Sequence, residues 1–207
     1  FAGHPNNGTI IATGQSFRNI HRELETANLT PHVDKVVGEH GSVIGYPRDG
    51  KVVHMVTREP ARYLKELFLQ YTNHNGTLIE DKDCVFAVQS GGSGLSVAEL
   101  MYNVDDLIVR YSLPLRTIIN GSTVEAVHAE LEDGHGSGKV KGINFCLGND
   151  WTDTAYVGDG PNDIGGLRKA TVPACPSNAK PEVIEVVNIK NGIRASKPEG
   201  EGTLQIV

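Results

Sequence analysis

Short apolar runs separated by glycine turns mark the first fifty residues. The run at 9–12 ends in Thr13-Gly14 and predicts a buried strand. Ser16 then opens a helix over 16–28: it suits an N-cap, and Phe17, Ile20 and Leu24 recur at helical spacing. Further strands are predicted at 33–37 and 42–46, around Gly38-Glu39-His40-Gly41. Strand, helix, strand with short turns is the pattern of a parallel α/β sheet.

The texture then changes. A strand at 52–56 precedes a helix over 60–73 that carries Tyr63, Leu64, Leu67, Phe68 and Tyr71 on one side. Strands at 77–80 and 84–89 lead through Ser90-Gly91-Gly92-Ser93-Gly94 to a helix over 96–111. Strands at 116–120 and 123–131 form a hairpin about Asn120-Gly121. This α+β block reads as an insertion, because the α/β texture resumes after it: a short helix over 141–147, a strand at 154–157, a helix to Lys169, a strand at 171–175 and a helix over 180–187. The expected division is a core of 1–47 with 134–207 and an inserted block of 48–133.

Composition narrows the class. The 207 residues are 39% hydrophobic and carry a net charge of −6, with Lys and Arg dispersed, which argues against a nucleic-acid partner. No apolar run is long enough to span a membrane. Cys84, Cys146 and Cys175 are odd in number and far apart, so neither a disulfide framework nor a zinc site is indicated, and a cytoplasmic location is expected. The chain opens at Phe1 rather than Met and runs directly into a strand, from which we expect a preceding segment to have been removed.

Three stretches carry chemistry. Tyr156-Val157-Gly158-Asp159-Gly160-Pro161-Asn162-Asp163 delivers carboxylates to the C-terminal end of a strand, where α/β proteins bind ligands. Asp159 and Asp163 could both face a hard cation such as Mg²⁺, whose octahedron is completed by waters and phosphate. An acidic turn that caps a helix would use the same residues. Thr13-Gly14-Gln15-Ser16 places a hydroxyl and backbone N–H groups at a helix start, suited to phosphate oxygens or simply to capping. Lys139-Val140-Lys141-Gly142 can set an ammonium on a phosphate or a carboxylate, or in solvent.

In this order and spacing, these stretches resemble the haloacid dehalogenase superfamily of aspartate-nucleophile phosphatases, in the branch with a large α/β cap. Ala12-Thr13-Gly14-Gln15-Ser16 resembles the second motif of the Cof-like sugar phosphatases. Glu39-His40-Gly41-Ser42 with Tyr46-Pro47, and Leu78-Ile79-Glu80-Asp81-Lys82, resemble trehalose-6-phosphate phosphatases. Lys141-Gly142 and Gly158-Asp159 are similar to the third and fourth motifs. Ala174-Cys175-Pro176-Ser177-Asn178-Ala179 and the segment from Lys197 to Gly202 resemble the chain ends of Cof-like and phosphoglycolate-phosphatase-like members.

The resemblance implies a three-layer, Rossmann-like parallel α/β core with an inserted α+β cap, and a Mg²⁺-dependent phosphomonoesterase acting on a small phosphorylated sugar or related metabolite. It implies catalytic roles for Thr13 and Lys141 (Lys139 being the other candidate), metal ligation by Asp159 and Asp163, and substrate contacts from Gly14, Gln15, Glu39, His40, Glu80, Lys82, Asn162 and Asn178. A solvated cross-strand pair is the alternative for Glu80 and Lys82. Two departures stand out. The family's first motif, Asp-x-Asp-Gly-Thr, which supplies the nucleophile, occurs nowhere in the 207 residues, and Gln15 stands where many relatives carry Arg. A catalytically silent phosphosugar-binding or regulatory protein is therefore the competing expectation. A phosphomutase would share the same core.

Overall fold

The computed structural model describes residues 8–72, 75–92, 94–131 and 138–206. Contacts divide the chain into two compact units, Thr9–Glu132 and Phe1–Gly8 with Asp133–Val207. The boundary expected at 134 lies outside the described residues.

The first unit holds two sheets. Strands β1 (Ile10–Ala12), β2 (Lys35–Gly38), β3 (Val43–Tyr46) and β4 (Lys51–His54) pair in that order. The expected parallel arrangement holds for β1 and β2, which are joined through helix α1 (Phe17–Thr26). It fails for β3 and β4, which run antiparallel to their neighbours. The connections decide this. A three-residue 3-10 turn, Glu39–Gly41, and the tight turn after Tyr46 are too short for a parallel crossover. Through β4 the first sheet continues past residue 47. Ser16 caps α1 by accepting from the Asn19 N–H at 3.4 Å. The helix buries Phe17, Ile20 and Leu24 against Val36 and Val43.

Helix α2 (Glu59–Tyr71) leads to the second sheet, whose strands β5 (Leu78–Ile79), β6 (Phe86–Gln89), β7 (Leu115–Asn120) and β8 (Thr123–His128) lie in the order β5-β6-β8-β7, all antiparallel. Helix α3 (Val97–Arg110) begins with a capping box between Ser96 and Glu99. It covers one sheet face together with α2, burying Leu64, Phe68, Leu100, Val104, Phe86 and Val124 in one core. The opposite face carries a smaller cluster of Val85, Ala87, Val127 and Ile118. The two sheets share a core at their junction: Cys84 and Leu131, flanking β6 and β8, are buried among Phe17, Leu24 and Val56.

The second unit is a parallel sheet in the order β11-β10-β9, from β9 (Ala155–Val157), β10 (Val172–Cys175) and β11 (Ile193–Arg194). Helix α4 (Lys139–Leu147) starts two residues before the expected position and ends at Gly148, whose φ of 62° is left-handed. Helices α5 (Ile164–Lys169) and α6 (Pro181–Ile189) pack on β10. A last helix, α7 (Glu199–Ile206), was not expected, because Gly200 and Gly202 weaken it; the Asn178 Oδ1 accepts from the Glu199 N–H at 2.8 Å at its start. The α/β class with a parallel-sheet core and an α+β block thus holds.

Phe17 supplies a stability test. Its ring packs against Gly45, where an added Cβ would stand 2.0 Å from Cδ2. Gly45→Ala is expected to cost about 1–3 kcal/mol by overpacking, read as a lower urea midpoint with an unchanged slope.

Candidate active site

In the first unit the end of β1 is stitched to the Glu39–Gly41 turn by backbone. The carbonyl of Thr13 accepts from the His40 N–H at 3.1 Å and that of Gln15 from the Glu39 N–H at 2.9 Å. The Thr13 hydroxyl accepts from the Gln15 N–H at 3.1 Å. Gly14 lies under the His40 ring, and a Cβ there would stand 2.6 Å from Nε2. Only glycine leaves the imidazole its place.

Glu39 and His40 both adopt left-handed backbone, with φ of 48° and 55°. Such conformations cost about 1–3 kcal/mol for a non-glycine residue unless the surroundings impose them. Here both side chains are anchored. The Glu39 carboxylate, 1% exposed, accepts from the backbone N–H groups of Asp83 at 2.9 Å and Cys84 at 2.7 Å. Burial pushes its carboxyl above the usual range, and those two N–H donors offset part of the rise. The His40 Nε2 donates to the Glu125 carboxylate at 2.5 Å.

Glu125 sits in the middle of β8, every residue of which is buried. One carboxylate oxygen takes the His40 proton and the other takes the Lys82 ammonium. Lys82 also pairs with Glu80 at 3.0 Å, and Glu80 accepts from the Thr123 hydroxyl at 3.5 Å. Burial alone would raise the Glu125 carboxyl, but hydrogen bonds and charge from His40 and Lys82 outweigh it and hold it at about 2. Expected site residues His40, Glu80 and Lys82 thus meet around an acid that was not foreseen. Its signal was a single charged residue within Thr123-Val124-Glu125-Ala126-Val127. Gln15 is exposed.

In the second unit β9 runs into Gly158-Asp159-Gly160. The buried Asp163 carboxylate folds back over this loop. Oδ1 accepts from the Lys139 ammonium and from the Tyr156 hydroxyl, each at 2.9 Å, and Oδ2 from the N–H groups of Asp159 and Gly160, each at 3.2 Å. A Cβ at Gly158 would lie 2.4 Å from the Asp163 Cβ, so this closeness requires glycine. Burial disfavours the Asp163 anion, but Lys139, Tyr156 and the loop N–H outweigh it and lower its pKa.

Lys139, not Lys141, is the lysine that meets Asp163; Lys139 is buried in the first turn of α4, whereas Lys141 is exposed. The helix starts at Lys139 rather than at Lys141, so it is Lys139 that occupies its first position. With four donors on Asp163, the carboxylate left open on this loop is that of Asp159, which is exposed. Asn162 lies in the 3-10 turn Pro161–Asp163, and Asn178 is exposed and engaged by α7. Among the described residues no three His, Cys, Asp or Glu side chains group closely enough to hold a metal ion. Mg²⁺ needs only one or two carboxylates when phosphate and waters complete its shell, so Asp159 fits as one ligand.

No family model matches the sequence, and no curated protein does either. Solved structures do. The Thermoplasma acidophilum protein 0175 superposes with a TM-score of 0.67 at 14% identity, over 96% of this chain and 80% of that one. A haloacid dehalogenase-like hydrolase from Bacteroides thetaiotaomicron gives 0.62 at 14%, over 90% and 80%. The sucrose-phosphatase from Synechocystis sp. PCC6803, described in complex with sucrose and phosphate, gives 0.61 at 16%, over 96% and 82%. The chain therefore has the fold of the haloacid dehalogenase-type phosphatases, as its motifs suggested.

The Glu125 cluster makes two measurable claims. Glu125→Ala leaves the Lys82 ammonium buried without its counter-charge and the His40 Nε2–H without its acceptor, and is expected to cost about 3–5 kcal/mol in chemical denaturation. Because the folded-state pKa is depressed from 4.5 to about 2, this contribution is complete above 4.5 and is lost as pH falls through that window. Glu125→Gln cannot take up that proton and should show a shallower acid slope there. Equal slopes would place the acid sensitivity elsewhere.

Proposed function

We propose that this chain is the phosphate- and sugar-recognising part of a Mg²⁺-dependent phosphomonoester hydrolase acting on a small phosphorylated sugar or related metabolite. The observation that carries the reading is the Lys139–Asp163 pair fixed over the β9 loop, beside the open carboxylate of Asp159. The fold shared with the sucrose-phosphatase and with a sugar phosphatase of haloacid dehalogenase subclass IIB supports the substrate class.

In this reading Asp159 holds Mg²⁺ and Asp163 positions the loop and Lys139 rather than ligating. When bound, the ion supplies charge neutralisation of the phosphoryl oxygens. The Lys139 ammonium, held in place by the Asp163 carboxylate, faces the same negative charge. Within the first unit Thr13 and Gly14 are candidates for phosphate contact and Gln15 for a neutral polar one; within the second unit Asn162 and Asn178 are candidates for neutral polar contacts. Glu80 and Lys82, in the block 48–133 as the inserted cap, are the candidates that choose the alcohol half; Glu39 and His40 are substrate-contact candidates outside that block. Lys82 retains one ammonium hydrogen beyond those used on Glu80 and Glu125. Cys84, Cys146 and Cys175 form no disulfide among the described residues, which supports the cytosol we infer. Among the described residues no helix is long and apolar enough to cross a membrane.

The sequence favours a second reading for the 207 residues themselves. They contain no Asp-x-Asp-Gly-Thr, so within them the chemistry is binding rather than turnover.

Turnover of glucose 6-phosphate and p-nitrophenyl phosphate with Mg²⁺ is expected to be undetectable for this chain, while inorganic phosphate binds by calorimetry. Lys139→Met and Asp159→Asn should each weaken phosphate binding about tenfold or more, Asp159→Asn only when Mg²⁺ is present. Lys141→Met should leave it unchanged. Sustained turnover, or loss of binding in Lys141→Met alone, would overturn these assignments.

A further inference from the structure

The face of the second sheet opposite α2 and α3 carries an arginine that pairs with no acid among the described residues. Alternation along β7 puts Arg116 and Ile118 on this face, with Leu115 and Thr117 on the helix side. Cross-strand register sets Arg116 opposite Val127 and Ile118 opposite Glu125, so Arg116 stands one diagonal step from the Glu125 cluster. Its Nε and Nη2 are buried and have no hydrogen-bond partner among the described residues.

Nearby acids are already engaged. Glu125 is taken by His40 and Lys82, Glu80 by Lys82 and Thr123, and Asp105, on the helix side, by the Thr117 hydroxyl. A lysine in such surroundings could shed its proton; a guanidinium cannot, and it stays charged at every pH at which the protein is folded. Leaving buried donors of a charged group unmade is among the more costly things a fold can do. Two adjacent N–H donors of one planar fork match the two oxygens of a carboxylate or phosphoryl group.

We propose that Arg116 is a ligand-binding residue that receives an oxyanion of the substrate, through its buried and unpartnered Nε and Nη2, on the face of the second sheet opposite α2 and α3. The inference rests on the phosphosugar reading and narrows it: the substrate presents an anionic group to this face, either its phosphoryl group or a carboxylate on the sugar half. A neutral sugar face would be served by the amide, hydroxyl and carboxylate groups beside it and would leave the guanidinium unmatched.

The test follows the arginine Nε–Hε resonances of the full chain by NMR, with the Arg116 signal identified by its absence in Arg116→Met. Glucose 6-phosphate, gluconate and glucose are titrated at constant ionic strength. A saturable shift of the Arg116 signal by gluconate assigns a carboxylate, and one by glucose 6-phosphate alone assigns the phosphoryl group; Arg116→Met should then bind the effective ligand at least about tenfold more weakly. Arg116→Met should also melt higher than the wild type without ligand, since it keeps the apolar stem and removes an unmatched buried charge. No shift with either anion, an equal shift with glucose, or a lower melting temperature of ligand-free Arg116→Met would overturn the proposal. Lys139→Met separates the two readings: unchanged glucose 6-phosphate affinity in that variant counts against the phosphate site on the β9 loop, while the gluconate response of Arg116 stands by itself.

Discussion

The first unit depends on one buried carboxylate. Glu125, 1% exposed, stands in the middle of β8 and holds an ammonium and an imidazole from different parts of the chain. His40 arrives from the turn between β2 and β3, Lys82 from the segment between β5 and β6. A buried ion pair is rarely a net source of stability, but removing one member leaves the others stranded. What the arrangement supplies is position. His40 can keep its left-handed backbone only because its ring is tied down, and the ring in turn fixes the space above Gly14. Thr13 and Gln15 inherit that geometry through their carbonyls.

The β9 loop solves a related problem with the opposite economy. There a single carboxylate, Asp163, is consumed by four donors so that a neighbouring one, Asp159, can remain open. Lys139 is held by the same anion. Two acids four residues apart thus have unlike surroundings, although their spacing invites treating them as an equivalent pair.

Much of this was legible from the order of residues. Ser16, Phe17, Ile20 and Leu24 announced α1, and Asn120-Gly121 announced the β7–β8 hairpin, because both are local decisions about capping and turn geometry. The direction of β3 and β4 depended on how short two connections are, which apolar periodicity does not report. Choosing between Lys139 and Lys141 required knowing where α4 begins, a matter of two residues. Glu125 and Arg116 were illegible for a deeper reason. Each sits in a strand whose pattern is otherwise hydrophobic, and only tertiary neighbours decide whether a charge there is matched.

The junction of the two sheets has a mechanical consequence. Cys84 before β6 and Leu131 after β8 are both buried in the apolar cluster that α1 seals against the first sheet. Glu39 adds a third attachment by gripping the backbone at Asp83 and Cys84. A lever needs a fulcrum that yields, and here these three attachments are buried. Bending one sheet against the other would have to break them together, which sets a cooperative resistance to hinging at this junction.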